Sequence, residues 1–95
     1  MKYTLSKQAE SDVKNLIRRS YLSFGFEITD KYQKGLNNCF GLLASEPSIG
    51  TSADGLRAQY HKFPYKSHVV YYKIRKKDVF IVRLLHERMD KLKHL

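Results

Sequence analysis

Apolar residues in the first half of the chain recur at helical spacing. Ser6 fits an N-cap, because its hydroxyl can accept from the free N–H groups of a first helical turn. The apolar positions after it form one stripe of an amphipathic helix: Ala9, Val13, Leu16, Ile17 and Tyr21. Gly25 can end that helix in the left-handed conformation, and Pro47 and Gly50 mark the exit from a second helix. The second stripe comprises Ile28, Tyr32, Leu36, Cys39, Phe40 and Leu43. Two helices with so short a connection predict an antiparallel helical hairpin.

The second half of the chain has the shorter pattern of β-strands. Three runs alternate in polarity or are rich in β-branched and aromatic side chains: residues 56–63, 68–75 and 78–85. Residues 63–66 and 75–78 separate them as hairpin loops, and residues 2–5 suit a short first strand. The predicted order is β-α-α-β-β-β, an α+β fold with the helical hairpin packed on one face of a small antiparallel sheet. Periodicity leaves open whether the first strand lies beside the second or the fourth. Tyr71 and Tyr72 point to opposite faces, so at least one belongs to the core.

Length and charge narrow the class of protein. A chain of 95 residues is one domain, residues 1–95, and is too short for dinucleotide-binding folds or barrels. Eighteen Lys and Arg against nine Asp and Glu give a net charge of +9, which favours an anionic partner such as nucleic acid, an acidic protein or, least of these, a membrane surface. The start of the chain has no apolar segment typical of a secretory signal, and the lone Cys39 cannot form an internal disulfide. Both observations predict that the protein resides in the reducing cytoplasm.

Several short sequence motifs resemble those of a known protein family. The most specific are residues 81–86 (IVRLLH), residues 88–90 (RMD) and residues 67–72 (SHVVYY), and residues 47–50 (PSIG) match more weakly. In this order, and over essentially the whole chain, they resemble the ParE branch of the RelE/ParE toxin superfamily. The resemblance implies the toxin half of a bacterial type II toxin–antitoxin pair with the RelE/ParE toxin fold and no cofactor. It further implies binding to DNA gyrase that blocks replication without catalysis, and neutralisation by a ParD-like antitoxin with a flexible acidic tail.

Two other chemistries, a metal site and RNA cleavage, are alternatives to this interpretation. No metal site is predicted, because the four histidines and Cys39 show neither a helical i, i+4 pair nor a Cys-x-x-Cys spacing. The RelE side of the superfamily cleaves mRNA on the ribosome, and this chain has cations and proton-transfer candidates for such a reaction: Arg57, Lys62, Lys73, Arg75, Arg83, His61, His68, His86 and Glu87. RelE-like nucleases often carry a Tyr just past the last strand, whereas here Glu87 to Asp90 follow His86. Pairing of His86 with Asp90 would instead fix the tail.

The candidates for contact with the target are basic groups of the sheet and tail: Arg57, Arg83, His86 and Arg88. If Arg57 and Arg83 share the sheet face opposite the helices, they form a cationic surface; alternatively each pairs with a carboxylate and orients a loop. Residues 46–95 carry 11 − 5 = +6 charges and residues 1–45 only 7 − 4 = +3, so the sheet half is the more cationic.

The candidates for antitoxin binding lie on the helical hairpin. An apolar groove beside Leu16, Ile17 and Tyr21 could accept an amphipathic peptide helix, with a basic rim to steer it. The alternative is that these side chains are used in the toxin's own core, since a domain this small needs most of its apolar residues there.

Overall fold

A helical hairpin packs on a five-stranded sheet in the computed structural model, which describes residues 1–95. The elements in chain order are β1 (Lys2–Leu5), α1 (Lys7–Phe24), α2 (Phe26–Ser45), a 3₁₀ turn (Pro47–Ile49), β2 (Thr51–Ser52), β3 (His61–Tyr65), β4 (His68–Ile74), β5 (Asp78–His86) and α3 (Lys91–His94). The predicted α+β fold is confirmed, with the short β2 and α3 added. None of the helices is both long enough and apolar enough to span a membrane.

The two predicted caps delimit α1. The Ser6 hydroxyl accepts a hydrogen bond from the Ala9 amide at 2.9 Å and donates to the Val82 carbonyl at 2.6 Å, so the cap also ties α1 to β5. Gly25 alone separates α1 from α2, and its amide donates to the Tyr21 carbonyl. Its φ of +83° agrees with the prediction, but its ψ of −174° places it in the extended region open almost only to glycine rather than in the left-handed helical region. This one residue reverses the chain and makes the hairpin.

The strand order is β1-β5-β4-β3-β2, which answers the question that periodicity left open. β1 lies beside β5, the fourth predicted strand, and runs parallel to it, with Lys2 opposite Asp78 and Leu5 opposite Ile81. The other strand pairs are antiparallel. The helical hairpin is therefore part of the crossover between two parallel neighbours, which places both helices on the same face of the sheet.

The strand predicted over residues 56–63 is wrong for residues 56–60, so Arg57 does not lie in a strand, and right for residues 61–63. β3 begins only at His61, after a segment closed by backbone hydrogen bonds from Ala53 to Tyr60 and from Tyr60 to Arg57. The Asp54 carboxylate accepts from the Gln59 amide at 2.7 Å, and Gln59 adopts a φ of +68°. Leu56, Ala58 and Tyr60 alternate with polar residues in the sequence, as in a strand, but Ala58 is exposed in the turns.

The predicted loop over residues 63–66 is also displaced, because β3 continues through Pro64 to Tyr65. Pro64 is tolerated there since β2 pairs only with the first two residues of β3, which leaves the proline without a neighbour on that side. The turn to β4 consists of Lys66 and Ser67, and Lys66 has a φ of +54°. The loop between β4 and β5 falls where the sequence predicts it.

Each face of the sheet carries its own buried cluster. The helix-side cluster contains ten buried residues: Ala9, Leu36, Cys39, Phe40, Leu43, Val70, Tyr72, Val79, Ile81 and Leu84. The opposite cluster contains three, Ala53, Tyr71 and Leu85, and is flanked by half-buried side chains that include Leu56 and Leu95. A β-bulge shifts the register so that Tyr71 opposes Arg83 and Tyr72 opposes Ile81. Ile81 and Leu84 thereby both face the helices although they are three residues apart.

Candidate functional site

A groove of about 610 Å³ lies between the helical hairpin and the end of β5. One part of its lining is apolar and consists of Leu16, Phe24, Ile28, Leu84 and Met89. The other part is polar and includes Arg19, Tyr32, His68, His86 and Arg88. A surface with adjoining apolar and basic parts suits an amphipathic partner that carries negative charge.

Strand register brings two histidines together at the polar end of the groove. His68 opens β4 and His86 closes β5, and the antiparallel pairing sets them directly opposite each other. Their ring centroids are 5.2 Å apart in an edge-to-face arrangement. The hydroxyl of Tyr32, on α2, lies 3.2 Å from Nδ1 of His68. Burial lowers the pKa of the His68 imidazole, and electrostatic interaction with His86 and Arg19 lowers it further, against smaller opposing effects of Glu87 and Asp12.

The predicted pairing of His86 with Asp90 is wrong. Nδ1 of His86 accepts a hydrogen bond from the Arg88 amide at 3.1 Å. Asp90 instead caps α3, where its Oδ1 accepts from the Leu92 amide at 3.1 Å. An aspartate two residues before a helical amide satisfies a free N–H of the first turn, which is a more local interaction than the imidazole could offer.

Arg83 forms an anchor between α1, β5 and the tail. Its Nε and Nη2 donate to the two carboxylate oxygens of Asp12 at 2.8 and 2.9 Å, and its Nη1 donates to the His94 carbonyl at 3.0 Å. The Asp12 carboxylate also accepts from the Leu84 amide at 3.0 Å. The hydrogen bonds to Asp12 raise the pKa of the Arg83 guanidinium. Both side chains are largely buried, 13% and 15% exposed, so this pair fixes how α1 and the tail sit against the sheet.

Arg57 holds the same tail from the other cluster. Its Nε donates to the main-chain oxygen of Leu95 at 2.8 Å. Leu95 in turn packs against Tyr71 and Leu85. Because Arg57 lies before β3 and not in a strand, the two arginines do not form the predicted strand-face surface, and each orients residues of the tail.

Of the three antitoxin candidates, only Leu16 lines the groove, and Ile17 and Tyr21 lie outside its lining. Leu16 lines the groove and also packs against the helix-side cluster, and Ile17 is half-buried. Tyr21 is 55% exposed, so it is not used in the core. The sequence did not single out the neighbouring side chains at the hairpin tip, of which Leu22 is 73% and Phe26 68% exposed. The sequence does indicate that these side chains are exposed, because Leu22 and Phe26 are apolar residues that lie outside the two predicted apolar stripes.

The structure thus regroups the predicted site residues. His86 and Arg88, predicted as target contacts, line the same groove as the antitoxin candidate Leu16. Arg57 and Arg83 lie with the tail instead. The structure brings together no group of three or more His, Cys, Asp or Glu side chains that could hold a metal ion.

Comparison with known proteins supplies the family. The family model for the ParE toxin of the type II toxin–antitoxin system parDE matches residues 3–91. Toxin ParE1 of Caulobacter vibrioides is 32% identical over 93 residues, covering 98% of this chain and 96% of that protein. Toxin ParE1 of Mycobacterium tuberculosis is 29% identical over 90 residues, covering 94% and 92%.

A solved structure of similar fold comes from a chromosomal ParDE toxin–antitoxin system of P. aeruginosa. It superposes with a TM-score of 0.77 over 90% of this chain and 95% of its own, at 12% sequence identity, which shows the fold. The fold and the matched motifs define a toxin of a type II toxin–antitoxin system. Within that class, the chain belongs to the ParE toxin family.

Proposed function

We propose that this ParE toxin acts in the cytoplasm by binding DNA gyrase and blocking replication, without catalysis of its own, and that a ParD-like antitoxin neutralises it. The family membership supports this function. The net charge of +9 supports an acidic antitoxin as the partner, since opposite charges speed and orient association.

One observation carries the proposed mechanism of neutralisation. His86 and Arg88 line the groove together with Leu16, so a peptide helix seated on the apolar part covers both basic groups. An antitoxin in the groove then competes directly with the target for His86 and Arg88. Arg57 and Arg83 contribute by holding the tail in position rather than by touching the target.

The test is the supercoiling of relaxed plasmid by purified gyrase in the presence of folded toxin. Wild-type toxin is expected to block supercoiling, and prior addition of the acidic protein encoded beside the toxin gene is expected to restore it. Arg88→Gln should weaken the block, whereas Lys76→Gln, which removes the same charge at the β4–β5 loop, should leave it intact. Full supercoiling at an excess of folded wild-type toxin would rule out gyrase as the target.

One feature favours the alternative function of a ribosome-dependent mRNA endonuclease. Two imidazoles and a tyrosine hydroxyl meet at one end of the groove, and such groups can serve as acid and base in RNA cleavage. The endonuclease would produce breaks in translated mRNA soon after induction, mapped by primer extension, and His86→Ala would abolish them. Growth arrest without any breaks removes this alternative.

A further inference from the structure

We propose that the polar end of the groove is a binding site for a carboxylate side chain of the antitoxin, and that the toxin takes up a proton there when the antitoxin binds. The site consists of Arg19, His68, His86 and Arg88. The inference rests on the proposed antitoxin function and adds the chemistry by which one part of the groove recognises its partner.

The cations at this end of the groove have no anionic partner within the chain. Its three ion pairs are Lys34 with Asp30, Arg75 with Asp78 and Arg83 with Asp12. The guanidinium of Arg19 has only a 3.4 Å contact from Nε to the Asn15 carbonyl, and that of Arg88 makes no hydrogen bond. Asp12 also lines the groove, but its oxygens are taken by Arg83 and the Leu84 amide. The groove therefore offers two free guanidinium groups to an incoming anion.

His68 is the group whose charge an incoming anion would change. It faces Asp12 and Arg19 from α1, Tyr32 from α2, and His86 and Glu87 from the end of β5. In the free toxin, burial and then interaction with His86 and Arg19 lower its pKa more than Glu87 and Asp12 raise it, which favours the neutral imidazole. A carboxylate seated against Arg19 and Arg88 reverses the local potential and favours the protonated imidazole.

The apolar part of the groove selects an acidic peptide over a nucleic acid. Leu16, Phe24, Ile28 and Met89 adjoin the cationic end, and the last three are more than a third exposed. The aliphatic side chains among these offer no flat ring on which a base could stack, whereas an amphipathic helix presents apolar side chains and a carboxylate side by side.

The sign of the pH effect follows from linkage. Because the pKa of His68 is higher in the complex than in the free toxin, binding takes up a proton and tightens as the pH falls from 8 to 6. One proton taken up strengthens binding by at most about tenfold per pH unit, between the free and bound pKa values.

Isothermal titration calorimetry of the full toxin with the acidic protein encoded beside its gene tests this site. Titrations at pH 6 and pH 8, in buffers of different ionisation enthalpy, report the dissociation constant and the number of protons taken up. We expect wild-type toxin to bind about tenfold more tightly at pH 6 and His68→Gln to lose most of that difference. His61→Gln is the matched control, since His61 stacks on Tyr72 away from the groove and should keep the wild-type pH dependence.

Arg88→Gln tests the same site at an exposed side chain that the fold does not need. It should weaken binding about tenfold at either pH, and Lys76→Gln should not. Tight binding with equal affinity and equal proton uptake in wild type and His68→Gln would overturn the carboxylate site while leaving the antitoxin function standing. Absence of any complex at either pH would count against both. His68-dependent binding of a short single-stranded RNA, with no pH effect on the antitoxin, would assign the site to phosphate and overturn the proposal.

Discussion

The two faces of the sheet are built differently although neighbouring residues of the same strands supply them. On the helix side, ten buried residues pack between β1, β4, β5 and the hairpin. On the other side, three buried residues are covered by the turns before β3 and by the tail. Two arginines, Arg57 and Arg83, hold that tail through its main-chain oxygens.

The adjacent residues Tyr71 and Tyr72 of β4 show how the two faces of the sheet differ. Tyr71 and Tyr72 are both fully buried, one on each face. The Tyr72 hydroxyl donates to the Pro47 carbonyl at 2.7 Å, whereas the Tyr71 hydroxyl has no hydrogen-bond partner. The helix side thus satisfies the hydroxyl of its buried tyrosine, whereas the tail side leaves its own unpaired and is covered by short turns and the tail.

The largest expected effect compares one leucine from each face. Leu36→Ala on the helix side should cost about 4 kcal/mol of unfolding free energy, because the cavity is enclosed by two helices and the sheet. Leu85→Ala should cost about 2 kcal/mol, since the tail and the turn segment can move into the space. Urea denaturation measures both values, and equal losses would show that the two faces are equally rigid.

A second test releases the tail. Arg83→Met removes the hydrogen bonds to Asp12 and to the His94 carbonyl and leaves a largely buried carboxylate with only the Leu84 amide as a donor, which should cost about 2 kcal/mol. Hydrogen exchange at residues 91–95 should speed up more than exchange in α2. Arg75→Met is the control, because it breaks an Arg–Asp pair at an exposed loop and should leave the tail protected. Unchanged tail protection in Arg83→Met would contradict the anchor.

The two tyrosines give a smaller effect of opposite sign. Tyr71→Phe removes a buried hydroxyl without a partner and should stabilise the protein by about 1 kcal/mol. Tyr72→Phe removes a satisfied hydrogen bond and should destabilise it by about 1 kcal/mol. Thermal and urea unfolding of the two variants measure these changes in stability. A loss of stability in both variants would mean that the Tyr71 hydroxyl has a hydrogen-bond partner in solution.

The smallest effect concerns an ion pair at the exposed β4–β5 loop. Hydrogen bonds from Arg75 and then Thr4 lower the pKa of Asp78 to about 2. Because this carboxyl has a lower pKa in the folded state, its contribution to stability is present above about pH 4 and is lost as the pH falls towards 2. Carboxyl ¹³C shifts should report the low value and its rise in Arg75→Gln. An Asp78 that titrates normally in the wild type would contradict the pairing.

The sequence predicted those parts of the fold that depend on local patterns. The apolar stripe, Ser6 and Gly25 specify α1 and its ends within a few residues of chain, and these predictions are confirmed. The place of β1 beside β5 depends on residues more than 70 positions apart, which periodicity does not report. The segment around Arg57 resembles a strand in sequence because Leu56, Ala58 and Tyr60 alternate with polar residues, whereas in the fold Ala58 is exposed and only Leu56 and Tyr60 pack against the cluster.

The sequence identifies several residues of the groove but not how they are arranged in space. His86 and Arg88 were recognised from the tail words and Leu16 from the helical stripe, but their meeting in one groove results from packing between distant elements. His68 contacts His86 because the register of β4 against β5 sets the two residues opposite each other. The β-bulge beside Tyr71 and Tyr72 shifts this register, and the sequence does not show where such a bulge falls. Asp12, the partner of Arg83, lies 71 positions away from it.

The parallel pairing of β1 with β5 has a consequence for how the protein is made. During translation β1 is synthesised first, but it can pair only after residues 78–81 of β5 have been synthesised. The hydroxyl of Ser6 likewise waits for Val82. The sheet position of β1 and the link from the α1 cap to β5 therefore form only after residue 82 has been synthesised, so the native fold of the first half of the chain depends on its last strand.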